Sequence, residues 1–181
     1  MEINRVIIIP TGDEIREGIV RDIDSPEILS QTLAVFPRAQ VTRVPPVLDV
    51  ENQISGAIQS FIQDQPDLIV LIGGSGGGHR FSQSLSKDFT HSALSGLLDQ
   101  YSSREIYGKN GHMWCKLICG QKKGTILINV PGPFVEAKAA YGAFLRSWLA
   151  GLGQEEINQQ MAEAVFTLYP GKADRVQSLP N

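Results

Sequence analysis

The sequence predicts an α/β protein: a three-layer α/β/α domain with a mostly parallel sheet, helices on both faces and one antiparallel hairpin. Three observations predict it. Arg5–Pro10 (RVIIIP) and Leu68–Ile72 (LIVLI) are short apolar runs rich in β-branched residues, and residues 40–44 between them alternate; such runs suit buried or half-buried strands. Segments of helical period separate these strands, and strand–helix–strand alternation gives a parallel sheet with helices on its faces. Further on, residues 113–119 and Thr125–Val130 flank a short turn at Gly120-Gln121-Lys122-Lys123-Gly124, a connection that suits a hairpin.

The first strand is bounded by Thr11-Gly12. Ser25-Pro26-Glu27 then offers an N-cap, a proline at the first helical position and an early acid, the ordinary start of a helix. Ile28, Leu29, Leu33, Val35 and Phe36 continue it, and Pro37 stops it. The second strand ends at Pro45-Pro46, which cannot donate to a ladder. Asp49 is placed to cap a helix whose face is Ile54, Ala57, Ile58, Phe61 and Ile62. Pro66 breaks that helix before the clearest strand, LIVLI. Residues 87–98 are weakly helical, with Phe89, Ala93, Leu94, Leu97 and Leu98 as the apolar face. Pro131-Gly132-Pro133 precedes a long helix over Phe134–Leu149, and another is expected around Gln154–Phe166. The domain is expected to span residues 1–168, with 169–181 as a loose tail.

The 181 residues suit one domain, and 42% apolar content is enough for a core. Net charge is −3, with 16 basic residues spread along the chain, so no nucleic-acid footprint is expected. Small anions remain admissible ligands, because backbone amides bind them without net positive charge. Cys115 and Cys119 lack metal spacing and share a strand face, so buried free thiols are expected. The opening MEINRVIIIP holds one short apolar run ending at proline, and no run approaches a membrane span. A cytoplasmic protein, with neither membrane nor nucleic acid as partner, is the expectation.

In mostly parallel sheets, ligands sit beyond the carboxyl ends of the strands. That rule groups three loops. Gly73-Gly74-Ser75-Gly76-Gly77-Gly78 follows the strongest strand. Its glycines let amides turn toward an anion such as phosphate, and Ser75 adds a hydroxyl. The pattern is neither a Walker A loop nor a dinucleotide fingerprint. Thr11-Gly12-Asp13-Glu14 can set a carboxylate on a ligand or on phosphate-bound magnesium. Asp24 and Ser25 either touch a ligand or cap the helix they begin. Pro131-Gly132-Pro133 can present backbone groups to the same pocket. Lys87 is placed at a helix start to meet a phosphate. His79, His91 and His112 fall in no catalytic motif and read as surface or loop residues.

Taken together, these loops resemble the molybdopterin-binding domain family of molybdenum cofactor biosynthesis, shared by molybdopterin adenylyltransferase and molybdenumtransferase. Related domains occur in the competence-damage-inducible family. IIIPTGDEI, DIDSPEIL, DLIVLIGGSGGG and LINVPGPFVEA are similar to the family's motifs and stand in its order, over about residues 5–150. The family normally has Arg-Asp-x-Thr-Pro-Glu-Ala just after the glycines. An ungapped register puts Arg80 on the arginine and Phe81 on the acid. A register with an insertion at 79–86 instead aligns Lys87-Asp88-Phe89-Thr90, keeping an acid, a helix cap at Thr90 and an apolar helical face. That register is preferred, although His91 and Ser92 replace the motif's proline and glutamate and the proline loop is altered.

The resemblance implies a three-layer fold, often a trimer, binding molybdopterin near the glycine loop. It implies AMP transfer from Mg2+-bound ATP to the pterin phosphate, with Asp13 and Asp88 as catalytic acids and metal ligands. Thr11, Gly12, Asp24, Ser25, Gly73, Gly74, Ser75, Gly76, Gly77, Lys87, Thr90, Pro131 and Gly132 would bind the ligand. Other molybdenum cofactor enzymes would be partners. The alternatives are a non-catalytic molybdopterin-binding or regulatory module, and a nucleotide-pyrophosphate hydrolase of the competence-damage type.

Overall fold

A computed structural model describes residues 2–76 and 88–179. The elements run β1 (Arg5–Pro10), α1 (Asp13–Arg16), α2 (Asp24–Val35), β2 (Gln40–Arg43), α3 (Glu51–Ile62), β3 (Leu68–Ile72) and α4 (Thr90–Leu97). Then come β4 (Tyr101–Gly108), β5 (Met113–Lys122), β6 (Thr125–Val130), α5 (Phe134–Leu149), α6 (Gln154–Phe166) and β7 (Ala173–Leu179). Among the described residues one seven-stranded sheet holds all the strands, in the order β2-β1-β3-β6-β5-β4-β7. β2, β1, β3 and β6 are parallel neighbours. The β6–β5, β5–β4 and β4–β7 pairs are antiparallel, so the expected hairpin opens a larger antiparallel half.

Alternation along the strands builds two cores. Val6, Ile8, Leu68 and Val70 face one way, packing with Ile28 of α2, Tyr141 and Phe144 of α5, and Ile157 and Met161 of α6. Ile7, Ile9, Ile69 and Leu71 face the other way, against Ile54 and Ile58 of α3 and Leu94 of α4. Every residue of β3 is buried, as its uninterrupted apolar run requires. Cys115 and Cys119 are buried free thiols in one core. Among the described residues no helix is long and apolar enough to cross a membrane.

Three local expectations are corrected. β4, YSSREIYG, was not expected, and part of the expected loose tail is β7, paired with β4 from Ser103 to Gly108. The α2 start is not capped by Asp24 or Ser25: Asp22 does the work, accepting from the Ser25 amide (2.9 Å) and hydroxyl (2.6 Å). Neither Asp49 nor Thr90 caps a helix by its side chain; both are buried, Asp49 lining the cavity described below and Thr90 bonding Thr11.

Candidate functional site

The carboxyl ends of β1, β3 and β6 meet around a cavity of about 910 Å3. Backbone bonds lock their loops together. The Thr11 amide donates to Ile72 O (2.8 Å), Gly73 N to Val130 O (3.1 Å) and Thr90 N to Gly74 O (3.1 Å). The hydroxyls of Thr11 and Thr90, both buried, share a hydrogen bond of 3.0 Å. This pair ties the first loop to the start of α4.

The glycines are where side chains would not fit. A Cβ on Gly73 would fall 2.9 Å from Thr11 O, and one on Gly74 would fall 2.3 Å from Thr90 Oγ1. Both glycines also have positive φ, 89° and 59°, a region that side chains rarely enter. A Cβ on Gly76 would fall 2.7 Å from Asp88 Oδ2. The Asp88 carboxylate therefore lies directly against the glycine loop. His91, expected as a surface or loop residue, is half-buried on α4 with Nε2 3.2 Å from Gly76 O. Burial lowers its pKa.

Ser75 is buried, and its hydroxyl is used inward. It donates toward Gly73 O (3.3 Å) and Val130 O (3.2 Å) and accepts from Asn129 Nδ2 (3.0 Å). Asn129 also donates to Lys116 O and accepts from the Ile118 amide at 2.6 Å. Asn129 thus staples the glycine loop to β5 where that strand leaves β6.

The acids form the most distinctive feature. Asp24 and Asp49 are each 8% exposed and line the cavity. The Oδ1 atom of each is buried with no hydrogen-bond partner among the described residues. Burial, then the charge of Asp22, pushes the Asp24 carboxyl up to about 6. Burial, then Glu14, Asp13 and Asp88, pushes Asp49 up to about 7. An unsatisfied buried carboxylate oxygen is costly, and a ligand donor or cation would relieve it. Across the cavity, Glu136 accepts from the Tyr169 hydroxyl. Burial raises the Glu136 pKa, and this bond raises that of Tyr169 to about 12.

Of the expected site residues, Thr11, Asp24, Gly73, Gly74, Ser75 and Gly76 line the cavity, as do Asp88, Pro131 and Gly132. Four others stand behind the wall. Gly12 carries φ 136° at the entry to α1, Ser25 bonds Asp22, and Thr90 bonds Thr11. Asp13 Oδ1 accepts from the Asp49 amide at 2.9 Å, so it positions Asp49. Gly77, Lys87 and His79 lie outside the described residues. Among the described residues no group of three His, Cys, Asp or Glu side chains is gathered to hold a metal ion. The sequence assigns Asp49 to capping, contains Glu14 and Glu136 within the quoted motifs without singling them out for the cavity, and gives no sign of Trp114 or Tyr169; all five line the cavity. Asp49 was findable as an acid in the loop that follows the second strand; Trp114 and Tyr169 sit in no motif.

Residues 7–151 match the family described as a probable molybdopterin binding domain. No curated protein matches the sequence. Solved structures share the fold. The molybdopterin biosynthesis enzyme MoaB of Thermus thermophilus is 22% identical, with TM-score 0.62, covering 84% of this chain and 100% of its own. CinA of Thermoplasma acidophilum, of unknown function, is 16% identical with TM-score 0.61, over 80% and 98%. The tungsten cofactor synthesizing protein MoaB of Pyrococcus furiosus is 14% identical with TM-score 0.61, over 83% and 95%.

Proposed function

The chain belongs to the molybdopterin-binding domain family of molybdenum cofactor biosynthesis, and on that premise we propose that it binds molybdopterin at the three-loop cavity and transfers AMP to the pterin phosphate. Asp88 against Gly76 is the observation that carries this reading. It puts an acid beside the backbone that would receive a phosphate, the juxtaposition phosphoryl chemistry needs.

In that reaction a phosphate oxygen of the pterin attacks the α-phosphorus of ATP. The P–O bond to pyrophosphate breaks, and pyrophosphate leaves with the magnesium that ATP brings. The chain supplies orientation and charge. Asp49 and Asp88 would face the ion, and Asp13 holds Asp49 through its amide. Asp24 offers an unpaired oxygen to ligand donors. Glycine-loop amides would hold phosphate.

Calorimetry with molybdopterin and with magnesium-ATP, followed by an AMP-transfer assay, tests the proposal. Asp88→Asn is expected to lose at least 100-fold in AMP transfer with an unchanged melting temperature. Unchanged turnover overturns the assignment. Tight pterin binding without nucleotide binding would return the domain to a binding module. Cleavage of nucleotide pyrophosphates without pterin adenylation would favour the hydrolase.

A further inference from the structure

The cavity has a wall that the glycine loop does not explain. Trp114 at the start of β5, Glu136 in the first turn of α5, and Tyr169 and Lys172 in the α6–β7 link all line it. Tyr169 and Lys172 lie beyond residue 151, where the family match ends. The wall is held in place from behind. The Trp114 indole lies across Gly108, where a Cβ would fall 2.4 Å from its ring. Tyr169 meets Trp114 edge-on, with centroids 5.4 Å apart at 77°. Its carbonyl accepts from the amides of Lys172 (3.1 Å) and Ala173 (3.2 Å), and Lys109 N donates to Lys172 O (3.1 Å). The link is thereby pinned to the end of β4.

The Tyr169 hydroxyl donates to Glu136 Oε1. Among the described residues Glu136 Oε2 takes no hydrogen bond, and the side chain faces the cavity. An aromatic pair takes flat rings by offset or edge packing. A carboxylate beside it accepts N–H donors from the ring's edge, most strongly two adjacent ones. A 2-amino-4-oxo ring edge offers that pair. A 2,4-dioxo edge replaces the amino donor with an oxygen whose lone pairs would face the carboxylate.

Resting on the molybdopterin reading, we propose that Trp114, Glu136 and Tyr169 form the subsite for the ligand's flat ring, with Glu136 selecting a 2-amino-4-oxo edge. The ring sits against the C-terminal wall while the phosphate end reaches the glycine loop. The α6–β7 link is then a specificity element.

Calorimetry on the full chain with free pterin and with lumazine, its 2,4-dioxo counterpart, tests this. Wild type is expected to bind pterin at least tenfold more tightly than lumazine. Glu136→Gln should narrow that ratio to threefold or less. Tyr169→Ala should weaken pterin at least fivefold, and Tyr169→Phe, which keeps the ring, should restore most of the loss. Circular dichroism melts check that each variant folds. Molybdopterin binding that Gly76→Val abolishes, combined with no pterin preference over lumazine, overturns the subsite while the parent reading stands. A wild type that binds neither molybdopterin nor pterin overturns both.

Discussion

Asp49 shows how far a single residue can depart from its solution behaviour. Its carboxyl is pushed up to about 7 by burial and then by Glu14, Asp13 and Asp88, and Asp24 is pushed up to about 6. An acid whose folded pKa exceeds its unfolded value keeps its proton longer in the folded chain. Its stability is therefore full near pH 4 and is lost as pH rises through the folded values, about 6 and about 7. Asp49→Asn removes the charge at nearly constant shape. At pH 8 this variant is expected to be more stable than wild type by something on the order of 1–3 kcal/mol, the gap narrowing as pH falls toward 4. Thermal melts across that range check it; a constant difference at every pH would refute the buried-charge account. The gain would come with weakened ligand binding, the ordinary exchange between stability and a strained site. Gly74 argues the same point through the backbone. With φ 59° and Thr90 Oγ1 only 2.3 Å from a would-be Cβ, Gly74→Ala should cost roughly 1–3 kcal/mol by denaturant melts, and should part the loop from α4.

Among the elements, legibility followed how each one gets its stability. β3 is apolar throughout, and β1 and β6 are mostly apolar, so all three were readable as strands, because burial on both faces favours near-continuous apolar runs. β4 was not readable, although Ser102, Ser103, Arg104 and Glu105 within it are all buried. Arg104 is satisfied by partners far along the chain, Glu155, Gln159 and Ser178, and Glu105 by Lys116 on the neighbouring strand. No local pattern announces such pairings. β7, ADRVQSL, is a polar edge strand and looked like a tail for the same reason. The site was half legible: strand ends located the loops and the acid past the insertion. Trp114, Glu136 and Tyr169 come together only through tertiary packing. Truncation after Leu168 discriminates the two readings of the C-terminus. A loose tail could be cut without effect. An edge strand, once removed, bares the β4 ladder and leaves Arg104 without Ser178, so aggregation on size-exclusion chromatography and a lower melting temperature are expected. The α2 start gives a smaller test. Asp22→Ala removes the bonds to the Ser25 amide and hydroxyl and should cost about 1 kcal/mol.

At the scale of the whole molecule, charge and site have to be reconciled. The chain carries a net charge of −3. The cavity wall holds Glu14, Asp22, Asp24, Asp49, Asp88 and Glu136 against Arg21 and Lys172, and Asp22 is already paired with Arg43 at 2.9 Å. A phosphate entering such a field meets repulsion that the glycine-loop amides must overcome. On the proposed reading, a divalent cation arriving with the phosphate would reverse that balance, and the unpaired oxygens of Asp24 and Asp49 would gain a partner for their charge. Affinity for a phosphate-bearing pterin should therefore rise at least tenfold on adding magnesium and fall again with chelator. Free pterin, which lacks the phosphate, should be indifferent to the metal. The effect has a pH signature. Asp24 and Asp49 ionise around 6 and 7 in the folded protein, so both carry charge at pH 8 and little at pH 5. Magnesium should thus matter far more at pH 8. Calorimetry at the two pH values, with and without magnesium, measures this; equal magnesium dependence at both would detach the buried acids from cation and phosphate binding.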